Sequence, residues 1–174
     1  MASTGIGGIL HEEHFRMLTM ISALEARVSG AAATRPIDRN DARDRELLDE
    51  IVDVTGEIAW HSTFEEAVLF PLIWDKSEDD LSVILSHEHE AIRPLARRLK
   101  HLAERARSGD LEGDEWRAFR ETVLALAPHV MFHLQKEELA VVQKLDTLLE
   151  PDVDDALVVH YETRQPRRYL RAAE

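Results

Sequence analysis

Apolar residues recur along this chain at alternating steps of four and three, the spacing that lines one face of an α-helix. The first such stripe runs Leu10, His14, Met17, Ile21, Leu24, Val28 and stops near Ser29-Gly30. The second runs Leu47, Ile51, Val54, Ile58, His61, Glu65, Val68, Leu72. Asn40 or Asp41 can cap its start, and Pro71 is expected to distort or end its last turn. The third runs Leu85, His89, Ile92, Ala96, Leu99, Ala103, with Pro94 early in it and an end near Ser108-Gly109. The fourth runs Trp116, Phe119, Val123, Leu126, Val130, His133, Glu137, Ala140. Pro128 lies inside it, where a kink and a carbonyl in need of another partner are expected. No segment alternates convincingly with period two. Four amphipathic helices joined by shorter loops predict an all-α fold, an antiparallel up-down four-helix bundle over residues 1–149. Residues 150–174 read as a short C-terminal extension. It holds a short helix around Asp154–Thr163 and then Arg164, Arg167, Arg168 and Arg171 in a solvated tail. Tyr161 and Tyr169 also fall there, with no role assigned.

The chain repeats itself. Ile9-Leu10-x-x-Glu13-His14 matches Ile84-Leu85-x-x-Glu88-His89, and His61-x-x-x-Glu65-Glu66 matches His133-x-x-x-Glu137-Glu138. Each half is a helix pair carrying the same two motifs in the same order, which predicts two related hairpins packed about a pseudo-two-fold axis.

Each stripe contains a His, and two contain a Glu, among Leu, Ile, Val, Met, Trp and Phe. An ionised carboxylate in an apolar interior is costly unless it is paired or binds a metal. The i, i+4 spacing of His61/Glu65 and His133/Glu137 puts both side chains on one helical face, one turn apart. His14 and His89 complete the set from the other two helices. One buried His, or one His-x-x-x-Glu, is commonplace; six such positions preserved by a repeat are not. The expected ligands are therefore His14, His61, Glu65, His89, His133 and Glu137. They are too many for one four-coordinate zinc and too nitrogen-rich for Ca²⁺ or Mg²⁺. They suit two borderline divalent ions, each with two His, bridged by both Glu residues. Iron fits this donor set best, manganese next, zinc less well. His129, one turn before His133, is expected to support a ligand from behind or to be an extra ligand. His11 and His87 are expected at the surface or behind the ligands, His101 and His160 in solvent, and Glu66 and Glu138 on a solvated face, although either could orient a ligand imidazole.

The composition narrows the remaining options. At 174 residues and 44% apolar, the chain suits one domain with a sizeable core. Its 34 acidic and 21 basic residues give a net charge of −13, which repels phosphate backbones and speaks against general nucleic-acid binding. The absence of Cys excludes disulfides, thiolate metal sites and cysteine nucleophiles. There is no basic leader in Met1–Leu10 and no run of ~18 apolar residues, so a soluble cytoplasmic protein is expected. No Ser-His-Asp order, phosphate-binding Gly loop or cofactor fingerprint is present.

These motifs resemble the hemerythrin family, specifically the bacterial hemerythrin-like (HHE cation-binding) domains. The resemblance covers about residues 5–148. It rests on His14, on His61-Ser-Thr-Phe-Glu65-Glu66-Ala-Val-Leu-Phe70-Pro71, on Glu88-His89, and on His133-Leu-Gln-Lys-Glu137-Glu138. It implies a four-helix bundle around a non-haem di-iron centre, bridged by carboxylates and an oxo or hydroxo group. Oxygen-carrying hemerythrins usually place a second His one turn after the first in helix 3; here that position is Arg93. Their helix 4 acid is usually an Asp five residues after its His; here it is Glu137, four after His133. The chain is thus similar to the six-ligand His…His-x-x-x-Glu…His…His-x-x-x-Glu subgroup, whose extra open coordination site can admit peroxide or nitric oxide. The resemblance implies binding or reduction of O₂, peroxide or NO, including catalase-like activity. Alternatively, it implies an iron- or oxygen-responsive regulatory or iron-handling module without turnover.

Overall fold

The computed structural model describes residues 5–74 and 81–164, and every regular element among them is helical. Helix α1 spans Gly5–Ser29. Helix α2 spans Ala42–Phe64 and runs on, through a π turn at Glu65–Leu69, into the short α3 (Phe70–Ile73). Helix α4 spans Leu81–Ser108 and α5 spans Asp114–Glu137. A second π turn at Glu138–Val142 joins α5 to α6 (Gln143–Leu148), and α7 (Pro151–Arg164) closes the described chain. Asp41 is the N-cap of α2, its carboxylate accepting from the N–H groups of Arg43 and Asp44.

Neighbouring helices are antiparallel, and ion pairs and a hydrogen bond near both ends of three seams show it. Arg16–Glu57 (2.8 Å) and Arg27–Asp44 (2.8 Å) tie α1 to α2 in opposite directions. Arg107–Asp49 (2.9 Å) and Arg93 on Ser62 (3.1 Å) do the same for α4 and α2. Arg105–Glu115 (3.0 Å) and His133–Glu88 (3.0 Å) link α4 to α5. With α1 also packed on α5, the four long helices form a closed up-down bundle. Pro94 and Pro128 lie within unbroken helix. Each deprives the carbonyl four residues earlier of its donor, at Glu90 and Leu124, and both of those residues are exposed, so water can replace the lost N–H.

The predicted stripes are buried throughout α1 and α4. In the other two rods, apart from half-buried Leu47 at the start of the second, they hold only as far as Glu65 and Glu137. Beyond those points Leu69, Phe70, Val141 and Val142 are buried, whereas Val68 and Ala140 are half-buried and Leu72 is exposed. The π turns cause this change. Phe70 N–H bonds Glu65 O, and Gln143 N–H bonds Glu138 O, so each rod takes up one extra residue and its inward face advances by one.

The apolar core has two parts. The larger contains Met17, Ile21, Leu24, Ile51, Val54, Leu99, Phe119, Val123 and Leu126. The smaller contains Ile6, Leu10, Phe64, Leu69, Phe70, Leu85, Val141, Leu157 and Tyr161. The polar positions of all four stripes fall between the two. The C-terminal segment is helical from Pro151 to Arg164 and buries Leu157 and Tyr161 against the bundle. The tail residues Arg167, Arg168, Tyr169 and Arg171, with the Arg164 side chain, lie outside the described residues. Among the described residues no helix is long and apolar enough to cross a membrane.

Candidate metal centre

His14, His61, Glu65, His89, His133 and Glu137 are all buried, and the fold brings them into one polar layer. They form two overlapping groups, His14–His61–Glu65–Glu137 and Glu65–His89–His133–Glu137, in each of which the potential ligand atoms lie within 4.8 Å of one another. The two carboxylates belong to both groups. Glu65 presents Oε1 to His61 Nε2 (3.2 Å) and Oε2 to His89 Nε2 (3.3 Å). Glu137 presents Oε1 to His133 Nε2 (3.0 Å) and Oε2 to His14 Nε2 (3.4 Å). Each carboxylate thus offers one oxygen to each histidine pair, the arrangement a bridging ligand requires.

The opposite edge of every imidazole is held by a further carboxylate from a neighbouring helix. Glu13 faces His61 Nδ1 (3.0 Å), Glu66 faces His89 Nδ1 (2.9 Å), Glu88 faces His133 Nδ1 (3.0 Å), and Glu138 faces His14 Nδ1 (2.6 Å). The four contacts run from α1 to α2, from the first π turn to α4, from α4 to α5, and from the second π turn back to α1. They close a ring around the bundle that obeys the pseudo-two-fold. Each outer carboxylate is also met from behind: Glu13 by the Tyr161 hydroxyl, Glu66 by Arg93, Glu88 by Lys136 and Glu138 by His11.

This ring decides the tautomers. An Nδ1–H donated to a carboxylate leaves the Nε2 lone pair pointing inward. His14 and His61 bring their Nε2 atoms to 3.0 Å, where two lone pairs repel unless a proton or a metal ion lies between them. Among the described residues, five of the seven buried side-chain polar atoms without a hydrogen-bond partner are the four oxygens of Glu65 and Glu137 and the Nε2 of His89. They lie within ion-pair distance of the imidazoles but lack hydrogen-bond geometry, because donors and acceptors alike converge on shared central points. Buried polar atoms are rarely left so. The donor set fits a pair of metal ions.

The protonation tendencies agree. Burial alone would lower the His61 pKa, but Glu65, with Glu13 and Glu137, lifts it well above the usual imidazole range. Burial opposes the rise at His89 too, yet the carboxylates of Glu137 and Glu65, 3.7 and 3.3 Å from its Nε2, carry it to about 9. Glu137, despite a burial that favours its neutral form, is held well below the usual carboxylate range by His133, His61 and His89. Negative charge is built into the layer, and protons occupy it when metal does not.

Several expectations need correction. His129 is exposed and joins neither ligand group. It lies one residue before the buried Val130, hence ~100° around the helix from the inward face. Glu66 and Glu138 do not sit on a solvated face; they grip His89 and His14. His160 is half-buried against the Phe64 ring (6.1 Å between centroids). His87 and His101 are exposed, and exposed His11 contacts Glu138 from outside (2.9 Å). Glu13 and Glu88 stand in the repeat motif and Tyr161 in the C-terminal extension, but the sequence assigns none of them a role at the centre. The two acids had a signal, since the repeat retains a Glu immediately before each of His14 and His89.

A cavity of about 20 Å³ adjoins the layer, lined by Met17, Ile58, Ser62, Ile92, Val130 and Leu134 together with His61, His89 and His133. It has room for about one water-sized molecule.

A family model described as the hemerythrin HHE cation binding domain matches residues 7–145. No curated protein matches the chain.

Proposed function

The chain belongs to the hemerythrin HHE cation-binding domain family, and on that premise we propose that it is a di-iron protein that binds or reduces a small oxygen or nitrogen species: O₂, peroxide or NO. His14 and His61 would hold one ion and His89 and His133 the other, with Glu65 and Glu137 shared between the two groups. The observation that carries this reading is the pair of overlapping His₂Glu₂ groups that share both carboxylates. When bound, the metal pair supplies redox electrons and open coordination positions. Iron is preferred over manganese by the chemistry of four imidazoles and two carboxylates.

The chain's own residues set what such a centre can meet. The outer acids Glu13, Glu66, Glu88 and Glu138 fix each ring and make its inward nitrogen a better donor. Met17, Ile58, Ile92, Val130 and Leu134 line the small cavity with apolar groups, and its volume of about 20 Å³ is on the scale of a molecule with one or two heavy atoms.

Metal analysis of protein purified after expression with iron supplied is expected to give two equivalents of iron. Less than half an equivalent of any transition metal overturns the proposal. The double variant Glu65→Ala/Glu137→Ala is expected to lose both ions; retention of two irons refutes the bridging assignment. Mixing the reduced protein with peroxide then separates the modes. Sustained O₂ evolution over many turnovers supports a catalase-like enzyme that disproportionates peroxide, and a single slow oxidation supports a sensing or iron-handling module.

A further inference from the structure

Helix α7 is tied to the bundle at both ends, and neither tie uses a metal ligand. Near its start, Asp154 Oδ1 accepts a hydrogen bond from Ile6 N–H (2.9 Å) and so satisfies the first turn of α1. Gly5 makes this possible. Its φ is +68°, and a Cβ there would lie 1.7 Å from Asp154 Oδ2. Near its end, α7 buries Tyr161, whose ring packs edge-on against Phe64 (4.6 Å) and beside Trp60 (5.9 Å). The Tyr161 hydroxyl donates to Glu13 Oε2, the same oxygen that faces His61 Nδ1. Tyr161, Glu13 and His61 are all buried, so water cannot substitute for any link of this chain.

We propose that Tyr161 is a positioning residue of the metal centre: it holds Glu13, Glu13 holds His61, and the docking of α7 and the binding of metal therefore strengthen each other. The proposal rests on the assignment of His61 as a ligand. A buried Glu has three rotatable bonds, and each partner it gains removes part of that freedom. The phenol, fixed by its own ring packing, removes a further part. An imidazole whose orientation is settled before the ion arrives binds that ion more tightly. Linkage then demands the reverse effect: an ion that favours the ordered His61 favours docked α7 by the same factor.

The test uses the full chain, stripped of metal by chelation and titrated with Co²⁺, whose visible bands report its ligand geometry. Tyr161→Phe keeps the ring and its packing and removes only the hydroxyl. It is expected to weaken Co²⁺ binding about tenfold at one of the two sites, at the low end of what outer hydrogen-bond partners contribute, and to shift the visible bands. Asp154→Ala loosens the far end of α7 while sparing Tyr161, and is expected to weaken Co²⁺ by a smaller factor. Amide exchange across residues 151–164 is expected to slow on Co²⁺ loading in the wild type and to change far less in Tyr161→Phe. A folded Tyr161→Phe with wild-type affinity and spectrum overturns the positioning role, even when the wild type loads two ions. Equal exchange of α7 with and without Co²⁺ overturns the coupling. A wild type that takes up no Co²⁺ overturns the ligand assignment itself, and this proposal with it.

Discussion

Replacing Glu137 by Gln keeps the shape of the side chain and removes its charge. Glu137 is fully buried, with Oε1 3.0 Å from His133 Nε2 and 3.7 Å from His89 Nε2, and Oε2 3.4 Å from His14 Nε2 and 3.8 Å from His61 Nε2. In the metal-free protein this carboxylate is the main acceptor that holds the His89 pKa near 9. Removing one partner of a buried ion pair costs about 3–5 kcal/mol. The imidazole can escape by giving up its proton, which limits its share of the loss. Returning His89 from about 9 to its ordinary 6.5 costs up to ~3 kcal/mol at 1.36 kcal/mol per pH unit. The expected loss for metal-free Glu137→Gln is therefore about 3 kcal/mol at pH 7. At ~2–4 °C per kcal/mol in a chain of this size, the midpoint falls by ~6–12 °C. The sign of the pH dependence follows from a raised His pKa. The stabilisation is full below 6.5 and is lost as pH rises through about 9, so the gap between variant and wild type should narrow at pH 10. Thermal unfolding by circular dichroism in excess chelator, at pH 7 and pH 10, measures both quantities. A variant as stable as the wild type at pH 7, or a gap that widens at pH 10, would refute the charge argument. Undiminished uptake of two ions would refute the bridging one.

Three further predictions concern separate parts of the centre. Glu138→Gln slackens the 2.6 Å contact on His14 Nδ1 and is expected to weaken metal binding ~10–100-fold; chelator competition that gives wild-type affinity would remove the outer acid from the centre. Metal binding at pH 7 is expected to release protons, because Glu65, Glu13 and Glu137 raise the pKa of the buried His61 and Glu137 with Glu65 raises that of His89 in the metal-free protein. The dependence of calorimetric heats on buffer ionisation counts them, and affinity that fails to rise from pH 6 to 9 would contradict the scheme. Val130→Ile adds a methyl group beside a cavity of about 20 Å³; stopped-flow mixing of the reduced protein with NO should show slower binding at unchanged metal content, and an unaltered rate would place ligand access elsewhere.

Local rules made much of this molecule legible from its sequence. Helical periodicity turns spacing into facing, so the steps linking His14 to Leu10 and Met17, or His61 to Glu65, already place those groups on the buried side. The two halves of the repeat assign equivalent positions, and Asp41, Ser29 and Ser108 mark helix ends by capping and breaking chemistry that acts within a turn. The six inward polar positions and the all-α bundle needed nothing more distant.

Tertiary structure decided the rest, because those contacts cross between helices. Periodicity carries no sign that Glu13 belongs to His61 and Glu138 to His14, since each pair lies 48 or 124 residues apart. The π turns are a slip of the backbone ladder by one residue at Glu65–Leu69 and Glu138–Val142, so a regular period misplaces Val68, Leu72 and Ala140. His129 shares a nominal face with His133, but only the packed bundle shows that Val130 takes the inward place. Tyr161 reaches the centre because α7 folds back over the end of the bundle, a docking that depends on Leu157, Asp154 and the missing Cβ of Gly5. Short-range geometry sets which side of a helix a residue occupies; which partner it meets there is settled when the helices pack.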